Sequence, residues 1–185
     1  MSLTHTELED IRANAVCIHD AASVNRALDR VAADITDRLD ETLPVILCVL
    51  SGGIIPMGHL LTRLQFPLEI DYLHVTRYRG DTHGKDVQWV CKPGISLAGR
   101  TVLVVDDILD EGHTLASILA HCEQEGARQV LSAVLIQKLH GRRVPEITAD
   151  YVGLDVDDRY VFGFGMDYKG YLRNLNGIYA LGENI

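Results

Sequence analysis

One run, residues 101 to 114, leaves few folds open to this chain. It reads Thr-Val-Leu-Val-Val-Asp-Asp-Ile-Leu-Asp-Glu-Gly-His-Thr. The short, β-branched run Val102-Leu103-Val104-Val105 predicts a strand buried on both faces. Asp106 and Asp107 are expected at its carboxyl end, Asp110 follows, and Gly112-His113-Thr114 leads into a helical pattern. Ligands of open parallel sheets bind at that edge. A glycine turn that opens a helix offers free backbone N–H groups to an anion. The stretch therefore combines carboxylates for hydroxyls or a cation with an amide cradle for a phosphate. A sugar phosphate meets both demands.

The rest of the chain repeats the strand–turn–helix pattern and predicts an α/β fold with a parallel sheet. Thr4 and Glu7 form a capping-box pattern before a short helix to about Ala15. Ser23 is a candidate cap for a second helix, whose inner face is Val24, Leu28, Val31, Ile35 and Leu39. Pro44 precedes a strand over 45–50, then Ser51-Gly52-Gly53 and a helix with Pro56 in its first turn. That turn is a second anion cradle or a plain connection. Residues 68–75 and 87–90 read as strands joined by a polar stretch from Thr76 to Asp86, the tip of a long hairpin. Leu115, Ile118, Leu119 and Cys122 mark a helix ended by Gly126, and 130–136 the next strand. Lys138 is placed just past that strand, a solvated lysine unless a ligand meets it. His140 to Pro145 read as a solvated basic loop. Tyr160-Val161-Phe162-Gly163-Phe164 is a core aromatic cluster or part of a site.

With 185 residues, 47% of them hydrophobic, the chain suits one domain with a substantial core. Lys and Arg number 17 against 26 Asp and Glu, a net charge of −9. That balance argues against general nucleic-acid binding and against a polybasic membrane anchor. Cys17, Cys48, Cys91 and Cys122 are too scattered for a zinc site. No signal peptide and no membrane-spanning run is visible, so a cytoplasmic, reducing setting is expected.

Residues 104 to 114 resemble the signature of the type I phosphoribosyltransferases. Lys138, Tyr160-Val161 and the segment from Asp167 to Arg173 are similar to the hypoxanthine-guanine branch, especially its bacterial members. The likeness runs from about Val45 onward. It implies a single domain over 1–185, with a mostly parallel central sheet flanked by helices. A small hood would be built from the amino-terminal segment and about 138–185. It implies transfer of a 5-phosphoribosyl group from phosphoribosyl pyrophosphate to N9 of hypoxanthine or guanine, giving IMP or GMP and pyrophosphate. Mg²⁺ is the implied cofactor, and a homodimer or homotetramer the implied assembly.

The resemblance also distributes roles. Asp106 and Asp107 would hold the ribose hydroxyls and a metal, and Asp167 a second metal. Asp110 would be the catalytic base near purine N7. Asp110, Glu111, Gly112, His113 and Thr114 would cradle the 5′-phosphate. Lys138 would donate to the purine 6-oxygen, Tyr160 would stack on the base, and Val161 and Asp167 would line its edge. Ser51, Gly52 and Arg173 would meet pyrophosphate, with a cis peptide in the 51–53 loop. Residues 77–86 would form a mobile lid carrying Arg77 and Tyr78. Relatives often have Lys or Asn at Ser51 and Ser at Arg77. Three other readings compete: a xanthine-preferring enzyme, a non-catalytic nucleotide- or RNA-binding regulator on the same fold, and a receiver domain. The −9 charge and the presence of Asp110, Lys138 and Arg173 disfavour the second. Gly112-His113-Thr114 disfavours the third.

Overall fold

Leu103 and Val105 pack into one hydrophobic core, Val102 and Val104 into another, on opposite faces of the same strand, β5 (Thr101–Leu109). The computed structural model describes residues 3–77 and 87–182. Ahead of β5 come α1 (His5–Ala13), β1 (Ala15–Asp20), α2 (Ala21–Leu39), β2 (Val45–Leu50), α3 (Ile54–Leu61), β3 (Glu69–Arg77) and β4 (Val87–Cys91). After it come α4 (His113–Gln124), β6 (Gln129–Leu139), β7 (Tyr151–Asp157), β8 (Val161–Phe162) and β9 (Gly177–Leu181).

The main sheet has the order β4-β3-β2-β5-β6-β7. Its strands run parallel except β4, which pairs antiparallel with β3 so that Arg77 lies opposite Val87. The chain moves outward from β2 to β3 and β4, then returns to the far side of β2 for β5. That reversal opens a crevice between the carboxyl ends of β2 and β5, the usual ligand position in such sheets. Helices α2 and α3 cover one face and α4 the other. Of the expected lid, only the backbone of Arg77 is described. Its side chain, Tyr78 and the rest of 78–86 lie outside the described residues.

Several boundaries differ from those expected, each for a local reason. Helix α1 has its capping box but ends at Ala13. Helix α2 buries Val24, Leu28, Val31, Ile35 and Leu39 as its periodicity predicts, yet its cap is Asp20, not Ser23. The Asp20 carboxylate accepts from the Ser23 backbone N–H at 2.8 Å, the bond a cap provides. Strand β5 runs past its apolar stretch because its ladder with β6 continues through Asp106, Ile108 and Leu109. Asp106 and Asp107 thus stand on the strand, not beyond it; pairing overrides the low strand propensity of Asp. For the same reason Lys138 lies within β6, paired with Val156 of β7.

A second, antiparallel sheet has the order β1-β9-β8. It joins the main body through Val24 and Leu28 of α2, Ile136, Val156, Val161, Phe164, Met166 and Ile178. Phe162 and Phe164 are fully buried, which settles their place as core. Gly165, at φ +111°, sits against the Gly52 carbonyl and Pro56, where a side chain would collide. The carboxyl-terminal segment is thereby docked on the β2–α3 turn. All four cysteines are free. Burial pushes the Cys48 thiol up to about 11, so it behaves as a small core hydrophobe. Among the described residues no helix is long and apolar enough to cross a membrane.

Candidate active site

The crevice between β2 and β5 holds a cavity of about 310 Å³, lined by the turn Leu50-Ser51-Gly52, by residues 106–110 with Gly112, Thr114 and Leu115, and by Asp167 and Arg173. The Leu50–Ser51 peptide is cis, as the family resemblance implies. Helix α4 starts at Gly112, whose φ of +89° is left-handed and which makes no side-chain cap bond. Gly112, Thr114 and Leu115 line the cavity, which thus lies at the positive end of the α4 dipole. Helix α3, opening at Gly53, also lacks a side-chain cap. Of the two helix starts only that of α4 lines the cavity; ahead of α3 it is the turn residues Ser51 and Gly52 that do so.

The floor is acidic. Asp106 is buried, and its Oδ1 accepts from the Asp107 backbone N–H at 2.9 Å. Burial pushes both carboxyls above the usual range, Asp106 further because the Asp107 charge adds to it. The Arg173 guanidinium opposes both shifts. It stands 2.7 Å from Asp167 Oδ1 and 3.8 Å from Asp107 Oδ2, and donates to the Gly165 carbonyl at 2.6 Å. Gly52 presses on Asp107 so closely that a Cβ there would overlap its carboxylate.

Among the described residues no group of three or more His, Cys, Asp or Glu forms a closed metal cluster. Mg²⁺ does not need one, since it commonly binds through one or two carboxylates, waters and substrate phosphates. The donor set fits a hard divalent ion: Asp106 and Asp107 offer carboxylate oxygens only, and burial, which raises both carboxyls, would be offset by a bound cation.

Asp110 is the hub of a second cluster. Lys138 Nζ donates to its Oδ2 at 3.0 Å, and His140 Nε2 lies 2.8 Å from its Oδ1. Burial raises the Asp110 carboxyl, but the hydrogen bonds from Lys138 and His140 outweigh it, and the net shift is downward. The 140–145 segment is only in part the solvated loop its composition predicts: Gly141, Arg142 and Pro145 are exposed, whereas His140, Arg143 and Val144 are held against the body. His140 has a side-chain exposure of only 3%. Arg143 donates to the Lys138 carbonyl and to Gln137, and the Val144 N–H to the Glu111 carbonyl. Sequence reasoning missed His140. The available signal was its spacing of two from Lys138, which puts both on one face of an extended strand.

The remaining expected residues are distributed around this frame. Ser51, Gly52, Asp106, Asp107, Asp110, Gly112, Thr114, Asp167 and Arg173 line the cavity. Glu111, His113, Lys138, Tyr160 and Val161 do not line it; Lys138 reaches it through Asp110, and Tyr160 donates its hydroxyl proton to the Asp167 carbonyl at 2.9 Å. Tyr160 is half exposed and packs edge-on to Tyr168, and Val161 is buried on β8.

Comparison with known proteins agrees with this geometry. Residues 17–169 match the phosphoribosyl transferase domain. The chain is 30% identical over 174 residues to the hypoxanthine-guanine-xanthine phosphoribosyltransferase of Tritrichomonas foetus, covering 91% of this chain and 92% of that protein. It is 32% identical over 169 residues to the hypoxanthine-guanine phosphoribosyltransferase of Streptococcus pneumoniae, covering 90% and 92%. A crystal structure of a hypoxanthine phosphoribosyltransferase from Staphylococcus aureus superimposes with a TM-score of 0.87 at 27% identity, covering 98% of this chain and 97% of that one. With an acidic strand end, a glycine-opened helix and these relatives across nearly its whole length, the chain belongs to the phosphoribosyltransferase family, in its hypoxanthine-guanine branch.

Proposed function

We propose that this protein salvages 6-oxopurines, forming the bond between purine N9 and ribose C1′ as the C1′–pyrophosphate bond breaks. Hypoxanthine or guanine and phosphoribosyl pyrophosphate give IMP or GMP and pyrophosphate. The carrying observation is the Asp110–Lys138 pair, 3.0 Å apart, with Asp110 in the lining of the cavity. A base bound over that pair meets a donor for its 6-oxygen and an acceptor for its N7 proton. Adenine presents a 6-amino group to the same ammonium, which has no acceptor to offer.

In this reading the residues divide the work. The amides from Glu111 to Thr114, with the Thr114 hydroxyl, take the 5′-phosphate; Asp110 contributes its backbone there and its side chain as base. Asp106 and Asp107 accept the ribose hydroxyls. With Asp167 they would also hold Mg²⁺, which neutralises pyrophosphate charge when bound. Ser51 and Gly52 offer amides to pyrophosphate, and Arg173 a guanidinium. Tyr160 stacks on the base, and Val161 and Asp167 bound its edge. Arg77 and Tyr78 belong to a lid that keeps water from the cationic sugar carbon. The small sheet and the carboxyl-terminal segment act as the hood. When Lys138 turns from Asp110 to the 6-oxygen, one contribution that lowers the Asp110 pKa is withdrawn. Burial then counts for more, and the carboxylate strengthens as a base when it is needed.

The test is nucleotide formation from phosphoribosyl pyrophosphate, Mg²⁺ and each of hypoxanthine, guanine, xanthine and adenine. The xanthine arm matters because the Tritrichomonas foetus relative is named for that base too. Product from none of them would sink the enzymatic reading. Lys138→Gln should cut kcat/KM for hypoxanthine by roughly 10- to 100-fold, the worth of a hydrogen bond from a charged donor, and narrow the gap to adenine. Adenine as the best wild-type substrate would remove Lys138 from base selection.

Four free cysteines suit a reducing cytoplasm. Ile70, Tyr72 and Val90 form an exposed apolar strip at the β3–β4 edge, which supports a homodimer or homotetramer. Light scattering that returned a monomer mass at assay concentration would refute that assembly.

A further inference from the structure

His140 is better buried than any other charged or titratable partner of Asp110, and both its ring nitrogens are engaged. Its Nδ1 accepts from the Arg142 backbone N–H at 3.1 Å. A backbone N–H only donates, so Nδ1 is the bare nitrogen. The ring proton then resides on Nε2, aimed at Asp110 Oδ1 at 2.8 Å. The turn that fixes the ring is itself tied down: Arg143 donates to the Lys138 carbonyl, and Val144 to the Glu111 carbonyl. Arg142 turns its guanidinium away to Asp158, with Glu111 at 4.0 Å. Lys138 holds the other oxygen of the same carboxylate.

These contacts raise a question about Lys138. An ammonium that serves the base's 6-oxygen cannot also remain the anchor of Asp110 in the same place. Were Lys138 the only anchor, its departure would leave the carboxylate free to rotate at the moment it must face N7. We infer that His140 is a positioning residue for Asp110, holding Oδ1 so that Lys138 can leave Oδ2 for the base and bare that oxygen toward the purine proton. The inference rests on the roles given above to Asp110 and Lys138.

Steady-state kinetics of His140→Ala, His140→Gln, Asp110→Asn and the double variant Asp110→Asn/His140→Ala test it, with circular dichroism at the assay temperature to show each is folded. His140→Ala should lower kcat by roughly 10- to 100-fold, as for a misplaced catalytic group, with KM for both substrates changed by less than about threefold. His140→Gln, which keeps an N–H donor, should regain most of the rate. In the Asp110→Asn background the alanine should cost nothing further, because the two groups act as one. If His140→Ala does not fold, His140→Leu, which also lacks the donor but fills more of the space, takes its place with the same expectations, alone and with Asp110→Asn. Unimpaired turnover in His140→Ala beside a slow Asp110→Asn overturns this inference alone. An undiminished loss in the Asp110→Asn background also overturns it, since His140 would then act elsewhere. Unimpaired turnover in Asp110→Asn overturns the role of Asp110, and this inference with it.

Discussion

Asp110→Asn is expected to lower kcat by about 10²–10⁴-fold, the usual worth of a well-placed general base, while the protein stays folded. The amide can still accept one hydrogen bond, from Lys138 or His140, but it cannot take a proton from N7. A lowered kcat with little change in KM would mark an interaction made mainly in the transition state. An unchanged kcat would remove the Asp110 side chain from the chemistry. The same variant has a stability signature. The Asp110 pKa is lowered in the folded protein, because Lys138 and His140 outweigh burial. A depressed carboxylate stabilises the fold above its ordinary pKa, and that contribution is lost as pH falls through the lowered value. The wild-type melting temperature should therefore exceed that of Asp110→Asn at neutral pH, and the gap should close in acid. A gap that widened in acid would contradict the sign of the shift.

Gly52→Ala should be nearly as damaging although it adds one carbon. A Cβ at Gly52 would overlap the Asp107 carboxylate, with Oδ1 only 2.7 Å away. Asp107 cannot retreat freely, since it belongs to β5 and faces Arg173 at 3.8 Å. Either the carboxylate or the cis-linked turn must shift, and both border the cavity. A displacement near 1 Å is enough to cost about 10²-fold in kcat/KM, and KM for phosphoribosyl pyrophosphate should rise with it. Near-wild-type kcat/KM would show that the position of Asp107 is not critical. Gly52 is buried as well as lining the cavity, so the same overlap should also lower the melting temperature, which is read separately from kcat/KM.

The parts of the fold most legible in the sequence were those with one unambiguous period or composition. The 3.6-residue spacing of α2 predicted its buried face residue by residue, and the unbroken apolar run of β5 predicted a strand buried twice. Boundaries were less legible, since caps and ladders depend on partners distant in sequence. Asp20 outcompetes Ser23 because β1 delivers it to the helix start. Asp106, Asp107 and Lys138 sit on strands because their neighbours' ladders extend. Strands β1 and β9 escaped notice because each is short and mixed in character and gains meaning only by pairing with the other. His140 was hidden for a related reason. In a basic, proline-containing stretch it reads as solvated, and only the run of β6 to Leu139, one residue short of it, brings it beside Lys138 at Asp110.

The three-stranded sheet has β9 at its centre, with β1 on one side and β8 on the other. Gly177–Leu181 pairs with Ala15–Asp20, so the sheet's widest seam joins the two ends of the chain. A protein made from its amino end must therefore carry β1 without a strand partner until almost everything else exists. The main sheet is meanwhile complete in sequence. Contacts of such long separation carry the largest closure entropy and tend to form late. The two sheets are thus completed at different times: the main one needs nothing past β7, whereas the small one waits for its last and central strand.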